Sequence, residues 1–240
     1  MTTPGGLAVM DVFLRRTLAN NATGLCFEFG TYKGRTAVFI LQSLGDSSWL
    51  HAVEQSDYLQ TSLLNEISST YTWHKEKSEG FCEVRLPALV GDQNVAFSHH
   101  DASHFFNNVK SELSGIINFM SPAGVIVLDD FNDDFSQVRA AYYYLRFVQK
   151  FPFELLLIGF NKAVLVHQDM FDEFEDYVLS GLMPDMAEAG IPTKLSRTDI
   201  NEHSRNFYLA GKAAADPEER YGEKFFGDTF YQPSRHKLSS

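Results

Sequence analysis

Cysteine is scarce in this 240-residue chain, occurring only at Cys26 and Cys82. Two cysteines at no metal-ligand spacing provide neither a thiolate metal centre nor a disulfide scaffold. Cys26 falls in an apolar stretch, so two reduced, structural thiols in a cytoplasmic protein are expected. Positive charge is also in short supply: 20 Lys and Arg face 31 Asp and Glu, a net charge of −11. That balance excludes a nucleic-acid backbone or an anionic membrane surface as the main partner, because both demand clustered Lys and Arg. Long apolar runs are missing as well, and none approaches the roughly 18 residues of a membrane span. In the N-terminal "MTTPGGLAVMDVFLRR" the basic pair follows the short apolar run, the reverse of a signal peptide. There is no internal repeat and no low-complexity linker.

What remains is rich in core formers. Hydrophobic residues make up 44% of the chain, with 21 Phe and 10 Tyr, enough for one large folded domain. Leu7 to Leu18 reads as a helix, "GLCFEFG" as a short buried strand, "GRTAVFILQSLG" as a buried helix and "WLHAVEQS" as a second strand. A helix from Asp57 is expected to present Leu59, Leu63 and Ile67 on one face. "TYTWH" reads as a third strand, and Phe81 to Val90 as helix or loop. "NVAFSHHD" is a fourth strand, and Val109, Leu113, Ile116 and Met120 mark a helix closed by "SPAG". "GVIVLDDF" is a β-branched strand of the kind buried on both faces. After a helix carrying Val138, Ala141, Leu145 and Val148, "FELLLIGFNKAVLVH" reads as an antiparallel hairpin. The pattern is α/β: a Rossmann-like, doubly wound sheet, mostly parallel, over residues 1–168. Residues 169–240 form a C-terminal appendage with a helix on Phe171, Phe174, Val178 and Leu182. "NFYLAG" adds a short strand there, and the aromatic tail "GEKFFGDTFYQPSRHKLSS" would suit an acceptor lid or a homodimer contact.

In an open α/β sheet, ligands bind beyond the carboxyl ends of the strands, so the strand ends carry the functional information. The first ends "EFGTYKG", with Glu28, Gly30 and Gly34, and the second ends "AVEQS", with Glu54. Glycines flanking a strand-to-helix turn let a ligand lie against the backbone. Glu54 follows Gly34 by about twenty residues, the distance at which an acid holds ribose hydroxyls, so a nucleoside-type ligand is expected. The fourth strand ends "HHDASH" and the fifth "LDDF". Asp101, Asp129 and Asp130 thus converge from neighbouring strand ends and suit a hard cation such as Mg²⁺. His104, three residues after Asp101, is placed to act as general base. Of His99 and His100, alternation turns one inward, as a hydrogen-bonded buried imidazole.

"EFGTYKGRT", "AVEQS", "HHDASHFF" and "GVIVLDDF", in this order, resemble the class I S-adenosylmethionine-dependent methyltransferases. Within them the likeness is to metal-dependent small-molecule O-methyltransferases of the macrocin and catechol types, and it covers roughly Gly24 to His167. The resemblance implies the seven-stranded methyltransferase sheet, with Gly30 and Gly34 shaping the S-adenosylmethionine pocket. It places Glu28 near the methionine end, Glu54 on the ribose, and Asp101 beside the cofactor. It assigns Asp101, Asp129 and Asp130 to the Mg²⁺ or another divalent cation. A small hydroxylated acceptor would be deprotonated with His104 as base and methylated in a single in-line displacement. Ser103 stands where the family usually carries a further aspartate, and Glu76 and Ser78 are the candidates for the adenine border. Metal-independent or nitrogen-directed transfer keeps the same fold. A metallohydrolase and a noncatalytic nucleoside-binding subunit are rival classes; the double-histidine hydrolase pattern H-x-H-x-D-H is not met by "HHDASH".

Overall fold

The computed structural model describes residues 3–20, 24–44, 48–198, 205–211 and 235–237. Among the described residues ten strands form one sheet: β1 (Leu25–Phe29), β2 (Trp49–Val53), β3 (Tyr71–His74), β4 (Val95–His100), β5 (Met120–Leu128), β6 (Phe153–Gly159), β7 (Lys162–His167), β8 (Thr193–Thr198), β9 (Phe207–Gly211) and β10 (Arg235–Lys237). Their order is β10-β8-β9-β6-β7-β5-β4-β1-β2-β3. β3, β2, β1, β4 and β5 run parallel, and β7 enters antiparallel between β5 and β6. The strand order reverses between β1 and β4, which is where such a sheet opens a ligand crevice.

Both faces of the sheet are covered, and the sequence of β5 shows how. Val125 and Val127 belong to one core, while Ile126 and Leu128 belong to the other. The first core receives helices α1 (Pro4–Asn20), α2 (Arg35–Ser43) and α3 (Thr61–Ile67). The second receives a helical segment made of α4 (Ser78–Gly80), a π-pitched turn over Phe81–Arg85, and α5 (Leu86–Val90), followed by α6 (Phe106–Ile116) and α7 (Val138–Val148). Each apolar strand side chain therefore finds a helix on whichever side it points. The hairpin turn at Phe160 and Asn161 has both residues at positive φ, 52° and 66°, matching the twist of β6 and β7.

Some expectations shift. In α3 the buried residue is Leu64, while Leu63 and Ile67 are exposed. The helix starts only at Thr61, and its phase is set by Leu59 and Leu64, which pack into the space that Gly34 leaves without a side chain. Met120 begins β5 instead of ending α6, because α6 stops at Ile116 and a 3₁₀ turn intervenes. The "SPAG" segment accordingly lies inside β5. Both cysteines are free and buried; burial pushes the Cys26 thiol up to about 12 and that of Cys82 up as well.

Beyond His167, α8 (Phe171–Ser180) and α9 (Leu182–Glu188) pack against α1, with Phe174 stacked on Phe13. Strand β9 pairs in parallel with β6, and β8 pairs antiparallel with β9. The aromatic tail lies outside the described residues apart from β10, which pairs antiparallel with β8. Among the described residues no helix is long and apolar enough to cross a membrane. Phe207 is wholly buried in the same core as α1 and β5. Phe207→Ala is therefore expected to cost the whole unit about 3–5 kcal/mol, read as a shifted urea midpoint with one cooperative transition. A loss below about 1 kcal/mol would make β9 a dispensable edge.

Candidate active site

The turn after β1 is fixed by its backbone. Gly30 (φ 85°) donates to Val53 O at 2.9 Å, and Gly34 (φ 90°) donates to Thr31 O at 2.9 Å before α2 begins. Between them Tyr32, also at positive φ, donates its N–H to Glu54 Oε2 at 2.8 Å. The other oxygen of Glu54 accepts from Ser56 N and Oγ at 2.8 and 2.7 Å. Three protein donors thus hold this carboxylate in one orientation, with lone pairs left for a ligand.

A cleft of about 590 Å³ opens at these strand ends. Gly30, Tyr32 and Glu54 form one wall, Glu76 to Glu79 a second, and Asp101 to Ser103 with Phe105 a third. It lies over β1, β2 and β4, at the point where strand order reverses. Of the residues expected to bind a cofactor, Gly30, Glu54 and Asp101 line it; Glu76 and Ser78 line it too. Glu28 and Gly34 are not among its lining residues. Glu28 is 1% exposed and sits beneath the turn, with Oε1 3.6 Å from His99 Nδ1. Burial, with Asp101 adding to it, pushes the Glu28 carboxyl well above the usual carboxylate range. It was expected near the methionine end; it stands two residues before Gly30 on β1, with Oε2 buried and not hydrogen-bonded by the described residues. Gly34 acts through the helix start.

Beside the cleft the acidic groups converge, but not as one triad. Among the described residues two ligand-like groups overlap at Asp101: Asp101 with His104 and Asp130, and Asp101 with His99 and Asp129. In the first, His104 lies between two carboxylates, with Nε2 3.5 Å from Asp101 Oδ1 and Nδ1 3.3 Å from Asp130 Oδ2. The contact with Asp101 raises the imidazole above its usual value, and Asp130 adds to it. Burial raises the Asp101 carboxyl to about 6, with Asp129 contributing. Burial, then Asp129, also raises Asp130. Carboxylates that resist ionising together mark a place where positive charge is wanted.

The second group already has a cation. Lys162 Nζ lies 2.7 Å from Asp129 Oδ2 and 2.9 Å from His99 Nε2. Burial alone would raise Asp129, yet Lys162, aided by His99 and Asp101, holds it below the usual range. The sequence reading missed Lys162. Its only signal was a lysine opening the otherwise apolar strand "KAVLVH", and register supplies the rest, since Leu128 pairs with Ala163 and brings Asp129 beside Lys162.

His99 and His100 are both buried, where alternation had turned only one inward. The helices on both faces leave neither side of β4 wet. His99 is held well below its usual value by burial and by Lys162. It therefore accepts from the ammonium through Nε2 and carries its proton on Nδ1. His100 contacts Glu112 Oε2 at 3.1 Å and Ser98 Oγ at 3.2 Å.

Comparison with known proteins places this geometry. Residues 27–131 match a family model described as a methyltransferase domain. Among solved structures, CalS11, described as a TDP-rhamnose 3′-O-methyltransferase of calicheamicin biosynthesis, superposes with a TM-score of 0.52 at 14% identity, covering 67% of this chain and 78% of that one. The O-methyltransferase TomG of Streptomyces achromogenes, involved in tomaymycin synthesis and solved with S-adenosylmethionine, gives 0.51 at 15% identity, over 68% and 79%. An O-methyltransferase of Bacillus cereus, solved with S-adenosylhomocysteine, gives 0.51 at 12% identity, over 66% and 80%. At such identities the superpositions speak for the fold. No curated protein matches by sequence.

Proposed function

We propose that this chain, whose residues 27–131 match a model described as a methyltransferase domain, transfers a methyl group from S-adenosylmethionine to a hydroxyl oxygen of a small acceptor, with a divalent cation at the acceptor end. The acceptor class is a sugar, catechol or related natural product. One observation carries the reading: the cleft walled by Gly30 and Glu54 reaches Asp101, which is shared with His104 and Asp130. Cofactor cleft and acidic group therefore meet at one residue.

The residues fit both groups. Gly30 lets a ligand approach the backbone, and Glu54 is oriented to accept from two ribose hydroxyls. Asp101, His104 and Asp130 offer donor atoms within 4.8 Å of one another, with the hard oxygens that Mg²⁺ takes. When bound, S-adenosylmethionine supplies the methyl group and the cation lowers the pKa of an acceptor hydroxyl. The chain's own residues do the remainder. His104 accepts the hydroxyl proton, Asp101 and Asp130 fix the plane of its imidazole, and the cleft walls hold the reacting atoms in line. The transfer would be a single in-line displacement, so the chain need supply no covalent nucleophile.

Calorimetric titration with S-adenosylmethionine, with Mg²⁺ and then with a chelator, tests the reading. One saturable site is expected, followed by turnover of hydroxylated acceptors that the chelator abolishes. Turnover that survives the chelator would remove the cation. Glu54→Ala is expected to weaken cofactor binding by about 1.5–3 kcal/mol, the worth of hydrogen bonds to a charged group; unchanged affinity in the same titration would take Glu54 off the ribose.

A further inference from the structure

Lys162 is 1% exposed, a rare place for a lysine. A buried ammonium costs several kcal/mol unless it is paired and hydrogen-bonded, and its contacts to Asp129 and His99 meet that need. Asp129 is equally committed. Its Oδ2 takes Lys162, and its Oδ1 accepts the N–H of Asp130 at 2.9 Å. Asp130 differs: its Oδ1 accepts from Asn161 Nδ2 at 2.6 Å, while its Oδ2 faces His104. Adjacent residues at the β6–β7 turn thus hold adjacent aspartates, and a left-handed Asp130 (φ 50°) turns the two carboxylates to different neighbours.

We propose that Lys162 is a built-in cation that withdraws Asp129 from the divalent ion's ligands, leaving Asp101 and Asp130 as the carboxylates that hold it. This rests on the cation-assisted reading above. For Asp129 Oδ2 to ligate an ion, the ammonium 2.7 Å from it would have to leave. Lys162 is absent from the cleft walls, so it acts as a positioning residue through Asp129.

Mn²⁺ titration followed by electron paramagnetic resonance tests this. Lys162→Met, which keeps the length and removes the charge, is expected to bind Mn²⁺ about tenfold or more tightly than the wild type, because Asp129 joins the ligands. Equal or weaker Mn²⁺ affinity in that variant would overturn the proposal, whereas a merely structural lysine predicts no gain. A second arm does not depend on that variant folding. Asp130→Asn is expected to lose about tenfold or more in Mn²⁺ affinity, and Asp129→Asn less than about threefold. Equal losses would overturn the proposal. Wild-type turnover in a chelator, alongside a Mn²⁺ site gained by Lys162→Met, would sink the cation-assisted reaction and keep the role of Lys162.

Discussion

Replacing His104 with alanine is expected to lower turnover by about 10²–10⁴-fold, the usual worth of a positioned acid–base group. S-adenosylmethionine affinity should hold, because His104 is not among the residues lining the cofactor cleft. The pH profile gives the sign. A base works in its neutral form, so activity climbs as pH rises through the imidazole's pKa. Asp101, first, and Asp130 favour the charged form and place that pKa above 6.5. Turnover needs the divalent cation, so the shift is read on the ring itself: in the cation-free protein the His104 imidazole, followed by NMR, should titrate above the ordinary histidine value. Asp130→Asn removes one of the two carboxylates and should move that titration to lower pH. A rate profile that stays flat from about pH 6 to about pH 9, or full turnover in His104→Ala, would take this imidazole out of the reaction.

The fold was legible wherever local pattern and tertiary demand agree. The β-branched run of β5 and the apolar "LCFEF" announce strands covered on both faces, and Gly30 and Gly34 announce the turn between β1 and α2. Strand β8, "TKLSRT", was not read, because its alternating polar residues give a lone segment no apolar signal; it is a strand because β9 and β10 flank it. The site was legible in its half-buried members. Glu54, Asp101 and His104 stand at strand ends or in the loops beyond them, where topology places ligands. Its buried members were not. Glu28 stands two residues from the turn, and spacing alone does not separate a crevice wall from a buried floor. Lys162 meets Asp129 only through the antiparallel pairing of β5 with β7, a long-range register that no local spacing encodes.

Gly30→Ala should be the most damaging single-methyl change at the cleft, and Gly34→Ala is its control. Both glycines hold φ near +90°, where an L-residue costs about 1–2 kcal/mol. The surroundings then separate them. A Cβ at Gly34 would meet Leu59 Cδ1 at 3.0 Å, the far end of a side chain that can turn aside. A Cβ at Gly30 would stand 2.2 Å from Asp101 O and 2.4 Å from Ala102 Cα, both backbone. That backbone cannot yield alone, since Asp101 N donates to Phe29 O at 2.8 Å and so ties the end of β4 to β1. Moving it shifts Asp101, the residue common to the cleft and the acidic group. Gly30→Ala is accordingly expected to cost about 3–5 kcal/mol of stability and more than about 100-fold in S-adenosylmethionine affinity. Gly34→Ala should cost only the left-handed penalty, about 1–2 kcal/mol. Thermal melts and calorimetry on the pair decide it. Matching losses in the two variants would mean that the approach of β1 to β4 is not what shapes the cofactor site.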